Sequence, residues 1–452
     1  MTEPQPSLMS RLWNGIGPGL VTACVVIGPG SILTSSTVGA SKGYSMAWVV
    51  VVSVVAMQVY MGLGAKFGVV TQSSPIAALR DRGLGWIGIL IGLSACAISA
   101  LFQFGNNLGV QSAFAVFKPK LPVSEWLKNS DWLDFGVVIL FNVLSIVFLF
   151  SFRNLYAFIE RLMATFVGIM LLAFAINLGF ALSVSPNPLT DNVLGNELAT
   201  GSETAGTVSS GSVPAIATTA TGWIDLSVLA LAGTTFVITA AFYQAYLVRY
   251  KGWQLADLKR GLFDTRVSAG IMCLITLMIL STAATVLRGR TLSSVSDVAQ
   301  QLQPLFGDFG QMIFCIGLFS AAYSSFLINS MIGGFILSDA LKLGDQPQDM
   351  APRLMTAGVL VVGMIVAILS ISLRQKPVQA IVLAQAITIL AAPLMAGSLW
   401  WLTTRADLLG MNRNSWRMNV AAGLGFALIF AMASYTAIDK VYPVLAAALG
   451  GD

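Results

Sequence analysis

The sequence predicts an all-α membrane protein of eleven transmembrane helices, arranged as two inverted repeats of five, with helices 1 and 6 broken. Composition is the first observation: of 452 residues, 56% are hydrophobic and 10% charged. A soluble domain carries about 25% charged residues, so most of this surface must face lipid. The other two observations are the regular recurrence of long apolar runs and the interruption of two of them.

Eleven apolar runs are long enough to cross a bilayer as helices, which takes about 17–25 residues. We number them span 1 to span 11; they lie near residues 16–41, 46–70, 85–116, 134–151, 156–183, 225–249, 266–287, 309–338, 354–373, 378–403 and 419–447. A β-barrel would show alternating segments of about ten residues instead. The lengths therefore favour helices.

Loop charges predict the orientation of the spans. With the N-terminus inside, 16 of the 25 Lys and Arg residues fall on the inner side, and the long loop at 185–222, which has acids but no base, falls outside. We therefore predict a protein integral to the cytoplasmic membrane, with the N-terminus inside and the C-terminus outside. The first residues do not resemble a secretory signal peptide.

The whole chain, 1–452, is predicted to be one transmembrane domain. Repeat 1 covers about 12–184, the Ser-, Thr-, Gly- and Ala-rich loop about 185–222, repeat 2 about 223–403, and an extra helix about 419–447. Five spans in each repeat force the two halves into opposite orientations. The repeat is inferred from this topology, because the halves share no convincing residue-level similarity.

Span 1 is interrupted at its middle by Gly28-Pro29-Gly30-Ser31. Proline removes a backbone donor and glycine weakens a helix. Irregular backbone at that depth is tolerated where it is buried in protein or lines a polar cavity. The segment is therefore either an unwound substrate site or a simple proline kink.

Span 6 is interrupted more mildly, by Gly233-Thr234-Thr235 and Thr239, with no proline. Its Tyr243 and Gln244 are candidates for pathway lining or for ordinary contacts between helices.

Residue types exclude several functions. The chain has no histidine, which excludes histidine metal sites and proton relays. The four cysteines stand singly in apolar runs, as core residues do. No nucleophile, base or metal constellation shares one depth. We predict no enzyme activity, no cofactor, no bound metal and no nucleic-acid partner.

With both interruptions identified, the chain resembles the Nramp family of proton-coupled divalent-metal transporters. The likeness covers nearly the whole chain and includes GPGLVTA at 17–23, KFGVVT at 66–71 and RNLYAFIERLM at 153–163. The resemblance implies the fold of the amino-acid, polyamine and organocation transporters, with the substrate held between broken helices 1 and 6.

The metal site of that family does not carry over. Its span 1 motif is Asp-Pro-Gly-Asn, and Gly28 and Ser31 stand in place of the acid and the amide. Its span 6 motif, Met-Pro-His, aligns with 237–239. A second histidine aligns with Gln244, and the span 8 glutamine with Tyr323.

Amides replace the acids expected in span 3. Gln103, Asn107 and Gln111 share one helix face, and Asn106 lies beside them. Such a face should point into the bundle, either to line a polar pathway or to join helices.

These features predict a transporter that works by alternating access and moves a small, bicarbonate-like anion or a polar solute. A helix that starts near Ser31 presents free N–H groups and a partial positive charge. The predicted substrate-binding residues are Gly28, Gly30, Ser31, Thr34, Thr234, Thr235, Thr239 and Tyr323. An alternative for the Ser and Thr hydroxyls is that they only form hydrogen bonds within their own helices. Two alternatives for the protein are a transporter of partly hydrated Mg²⁺ or Mn²⁺ and a membrane sensor that does not transport. The coupling ion stays open.

Overall fold

The computed structural model describes residues 17–151, 165, 167–179, 225–292, 297–298 and 308–441. The structure of this part is helical, and nine stretches within it are long and apolar enough to cross a membrane. The predicted loop at 185–222 and most of span 5 lie outside the described residues, so the total of eleven spans stays a prediction.

The helices follow the predicted order. Their bounds are Pro18–Val26 and Pro29–Lys42 for span 1, Ala47–Thr71 for span 2, Gly85–Phe117 for span 3, Trp132–Ser151 for span 4, Val167–Gly179 for the described part of span 5, Leu226–Thr235 and Ile238–Tyr250 for span 6, Leu258–Val286 for span 7, Asp308–Ala340 for span 8, Met350–Ser372 for span 9, Pro377–Ile387 and Ala392–Thr404 for span 10, and Trp416–Thr436 for span 11. Short helices at Pro75–Arg80, Glu125–Asn129 and Ala406–Leu409 lie in the connections.

Span 1 is two helices separated by Ile27 and Gly28. Gly28 has an extended backbone (φ −113°, ψ 178°), and a proline occupies the first turn of each half. Proline suits that position because the N–H it lacks would have no helical partner there. The predicted interruption is therefore a true break, in which two half-helices meet inside the bundle.

Span 6 breaks at Phe236 and Val237, directly after Thr235. Neither residue is a helix breaker, so tertiary packing must hold the break open. The Phe236 ring packs against Tyr60 of span 2, with ring centroids 5.5 Å apart. The prediction that helices 1 and 6 are both broken is confirmed.

The packing pattern is that of an inverted repeat. The second half of span 1 packs on span 7, and the second half of span 6 packs on span 2. Exchanging spans 1–5 with spans 6–10 converts one pair into the other. Glycines permit both close approaches: a Cβ on Gly39 would lie 2.4 Å from the Leu280 carbonyl oxygen, and one on Gly64 would lie 2.3 Å from that of Ala241.

Four helices differ from the predicted bounds. Span 11, predicted over about 419–447, is an α-helix over Trp416–Thr436 that ends in a π-helical turn at Ala437–Val441. Spans 7 and 9 begin at Leu258 and Met350, several residues before their apolar runs, because a helix can begin on polar residues that the apolar run does not include. Span 10 contains a tighter 3₁₀ turn at Thr388–Ala391, which apolar periodicity does not reveal.

Candidate functional site

The break in span 1 faces spans 3 and 8. A Cβ built on Gly28 would lie 2.8 Å from the Ser325 hydroxyl oxygen and 3.5 Å from Asn106 Oδ1. Next to it, Pro29 lies against Gly109 of span 3, where a Cβ would be 2.4 Å from the proline ring. These contacts place span 3 and span 8 directly over the unwound backbone.

Gly30 faces span 10. A Cβ on Gly30 would lie 2.8 Å from the side-chain amide of Gln385, and one on Gly105 of span 3 would lie 3.0 Å from Gln385 Nε2. Gln385 is 1% exposed, and its Oε1 has no hydrogen-bond partner in the described residues. A buried amide oxygen without a partner costs free energy, so this atom is a candidate ligand for a bound substrate.

Hydroxyls line the start of the second half of span 1. Thr34 donates to the Gly30 carbonyl (2.8 Å), within its own helix. The buried hydroxyls of Ser31, Ser35 and Ser36 have no partner in the part of the chain that the structure describes. Ser31 lies one turn beyond Gly28. Its hydroxyl is therefore available beside the break.

The threonines of span 6 divide into two groups. Thr234 Oγ1 lies 3.3 Å from Thr34 Oγ1, which joins the two broken spans. Thr234 and Thr235 also donate to the Leu231 carbonyl, as the helix-bonding alternative predicts. Thr239 lines a narrow crevice of about 10 Å³ between spans 3, 6, 10 and 11, whose lining is otherwise mostly apolar.

The amides of span 3 join helices. Gln103 donates to the Phe326 carbonyl of span 8 (3.0 Å) and accepts from Asn106 (2.7 Å), and Asn107 accepts from Asn142 of span 4 (2.6 Å). Gln111 lies at the far end of the helix and donates to Asp134. Of these four amides, Asn106 also approaches the break in span 1, where its Oδ1 lies 3.5 Å from a Cβ built on Gly28.

Besides Thr239 and Gln111, the predicted residues Tyr323, Tyr243 and Gln244 lie away from the break in span 1. The Tyr323 ring packs on Phe141 and Phe148 of span 4, and Ser325, two positions later, is the span 8 residue that faces Gly28. Tyr243 stacks on Tyr246 with ring centroids 5.4 Å apart.

Gln244 joins the two broken spans on the side of the first half of span 1. Its Oε1 accepts from Thr22 of that half-helix at 2.5 Å. Gln244 thus contacts span 1 away from Gly28.

Sequence reasoning missed two members of the cluster, Ser325 and Gln385. The i, i+4 pair in which Asn329 donates to Ser325 (2.6 Å) was a usable signal for a polar face on span 8.

Among the described residues, no charged side chain lies at the break in span 1. The buried carboxylates of the described residues are Asp134, Asp264 and Asp339, and each lies near an end of its helix. The described part of the chain contains no group of three His, Cys, Asp or Glu residues that could hold a metal ion. Any ligands at the break are therefore hydroxyls, amides and backbone groups.

Comparison with known proteins identifies what this arrangement is similar to. The family model described as Nramp, natural resistance-associated macrophage protein-like, matches residues 19–439. Proteins named divalent metal cation transporter MntH are similar over most of their length. That of Verminephrobacter eiseniae is 23% identical, with 93% of this chain and 88% of the relative covered. That of Deinococcus radiodurans is 22% identical, with 90% and 85% covered.

Solved structures share the fold. A manganese transporter of Eremococcus coleocola superimposes with a TM-score of 0.72 at 16% identity, covering 96% of this chain and 88% of the other. MhsT, solved in complex with L-phenylalanine, gives a TM-score of 0.57 at 13% identity, covering 95% and 100%. At these identities the likeness concerns the fold alone.

Proposed function

Because the chain belongs to the Nramp family, whose members are membrane transporters and not enzymes, we propose that it moves a divalent metal cation bound at the break in span 1. The relatives named above are divalent metal cation transporters by name, and this supports a cation as substrate. The anion that the sequence alone favoured has no support from these relatives. It remains a second candidate.

The observation that carries the proposal concerns Gln385, whose side-chain amide packs against Gly30 and whose buried Oε1 has no partner in the described residues. Asn106 Oδ1 lies near Gly28, 3.5 Å from where a Cβ on that residue would be. The last carbonyls of the half-helix Pro18–Val26 point toward the break and carry a partial negative charge. Oxygen atoms of this kind are the ligands that hard divalent cations prefer.

A neutral donor set requires the ion to stay partly hydrated. No carboxylate among the described residues lies at the break to offset the loss of water from a 2+ charge. Mg²⁺ gives up its water reluctantly and is commonly bound with several waters retained. We therefore propose Mg²⁺ or Mn²⁺ with much of its first hydration shell as the transported species.

A specific observation favours the second candidate, a small anion or polar solute. The helix that starts at Pro29 presents the N–H groups of its first turn beside the buried hydroxyl of Ser31. Without a carboxylate at position 28, no negative charge there repels an anion. Gly28, Gly30, Ser31, Thr34 and Thr234 would form the cradle.

Uptake into liposomes by the purified protein separates the two candidates. Mn²⁺, Mg²⁺ and bicarbonate are compared at matched membrane potentials. Metal entry that a competing divalent cation blocks supports the proposal. Internal alkalinisation that depends on bicarbonate, without metal entry, replaces it with the anion.

A matched pair of variants gives the sign of the substrate charge. Ser31→Asp places a carboxylate beside the break, and Ser31→Asn adds a similar volume without charge. A cation transporter should bind its substrate more tightly in the Asp variant than in the Asn variant. An anion transporter should show the reverse order.

The orientation belongs to the proposal as well. The distribution of Lys and Arg supports an inner N-terminus in the cytoplasmic membrane. Tags at the two ends of the chain, treated with a membrane-impermeant reagent, would test it. The proposal predicts that only the tag at the C-terminus reacts from outside. Both tags on one side would contradict it.

A further inference from the structure

The first half of span 1 is capped by a carboxylate from another span. Asp264 of span 7 accepts hydrogen bonds from the backbone N–H groups of Gly17 (3.1 Å) and Gly19 (2.6 Å). Gly17 is the N-cap residue and has no side chain with which to cap the helix itself. Asp264 is 4% exposed, so its charge interacts with the positive end of the half-helix in a dry environment.

This half-helix depends on such contacts for its position. It has only nine residues, Pro18–Val26, and the break at Ile27–Gly28 interrupts its connection to the second half. Isolated helices shorter than about 12–15 residues are marginal even for favourable sequences. Its packing is also close: a Cβ on Gly19 would lie 2.7 Å from Ser268 Oγ and 2.8 Å from Asp264 Oδ2.

We propose that Asp264 is a positioning residue for transport. Its carboxylate holds the first half of span 1 against span 7 and keeps that end of the pathway closed; release of the two hydrogen bonds lets the half-helix move and open it. The inference rests on the proposed function, because it takes the break between the half-helices as the substrate site.

The opposite end of the bundle provides a matched control. Asp225 caps the first half of span 6 by accepting from the Val228 N–H (3.0 Å), and it pairs with Lys42 at 3.5 Å. Spans 6 and 7 run in opposite directions, so Asp225 at the start of span 6 lies at the other end from Asp264. Each carboxylate caps the first half of a broken span, Asp264 from span 7 and Asp225 from the start of span 6 itself, and the two lie at opposite ends of the bundle.

A native cysteine reports the position of the half-helix. Cys24 lies in the half-helix and is 0% exposed. With Cys96, Cys273 and Cys315 replaced by alanine, the rate at which a hydrophilic thiol reagent labels Cys24 in the purified protein measures opening. Asp264→Asn keeps the side-chain shape, but its amide nitrogen cannot accept an N–H bond.

Asp264→Asn should raise the labelling rate of Cys24 about tenfold, the change that corresponds to 1.4 kcal/mol, whereas Asp225→Asn should leave it unchanged. Gly19→Ala, which pushes the half-helix away from Asp264, should also raise the labelling rate of Cys24. If the Asp264→Asn variant does not elute as a single species, the Gly19→Ala result is used in its place. Unchanged labelling in a folded Asp264→Asn variant, or an equal rise in Asp225→Asn, overturns the proposal. Labelling needs no substrate, so this result is independent of the uptake assay.

Discussion

Gly28 faces Ser325 so closely that a Cβ on the glycine would lie 2.8 Å from the serine hydroxyl oxygen. Real Cβ atoms do not approach so near, so a side chain at position 28 requires the Ser325 side chain to shift. Ser325 of span 8 therefore occupies space that the acid of the family motif would need at position 28. The resemblance would place an aspartate at position 28, and the glycine that stands there leaves room for Ser325 of span 8.

Gly28→Asp alone should consequently lower thermal stability and give no gain in metal binding, because the new side chain overlaps Ser325. Combining it with Ser325→Gly opens the space for the carboxylate. The double variant should then bind Mn²⁺ about tenfold more tightly, since interactions with a charged group contribute about 1.5–3 kcal/mol. Calorimetric titration of the purified protein measures this.

The control for that experiment is Gly28→Asn with Ser325→Gly, which has the same volume and no charge. An equal gain in Mn²⁺ affinity in both double variants would show that space, and not the carboxylate, limits binding.

Gln385→Leu should raise the KM for the transported ion about tenfold, through loss of a ligand contact worth about 1.5–3 kcal/mol. Stability should not fall, because the Oε1 that is removed has no partner in the described residues and leucine has a similar volume. Uptake kinetics and thermal unfolding measure the two effects. Thr276→Val is the control: its hydroxyl is equally buried and unpartnered within the described residues, but it lies on span 7. The same rise in KM in both variants would refute a ligand role for Gln385.

Gln103→Leu should reduce stability, because it leaves the Asn106 amide without its partner and removes one of the two side-chain donors to the Phe326 carbonyl, which keeps Ser330. Each buried group left unsatisfied costs about 1–3 kcal/mol. The melting temperature in detergent should fall by several degrees. Gln111→Leu should have a smaller effect, because Asp134 keeps its 2.6 Å ion pair with Lys118. A Gln103→Leu protein that is as stable as the parent but transports poorly would favour the pathway interpretation of the span 3 amides.

The sequence predicted the break in span 1 because Pro29 and its flanking glycines act locally on the backbone. For span 6 it predicted an interruption at Gly233-Thr234-Thr235 and at Thr239, on either side of the observed break. The actual break at Phe236 and Val237 has no local breaker and depends on packing, including that of Phe236 on Tyr60. Local chemistry is visible in one sequence, and tertiary packing is not.

The same distinction explains the site residues. Span 8 is one uninterrupted helix from Asp308 to Ala340, so no proline or glycine break fixes its register against span 1. A shift of two residues turns a helix by about 200°, which is the difference between Tyr323, against span 4, and Ser325, against Gly28. Gln385 meets Gly30 only through the packing of span 10.

The pair of Thr234 and Thr239 tests which face of span 6 contacts the substrate. Thr234→Val removes the hydroxyl that lies 3.3 Å from Thr34, at the contact between the broken spans, and should weaken apparent substrate affinity. Thr239→Val places a methyl group in a crevice lined by Ile389 and Met432, where an apolar group is well tolerated, and should leave affinity unchanged. Uptake measured over a range of substrate concentrations compares the two isosteric variants directly. If Thr239→Val proves the more damaging, the substrate lies toward spans 10 and 11, and the site centred on Gly28 is misplaced.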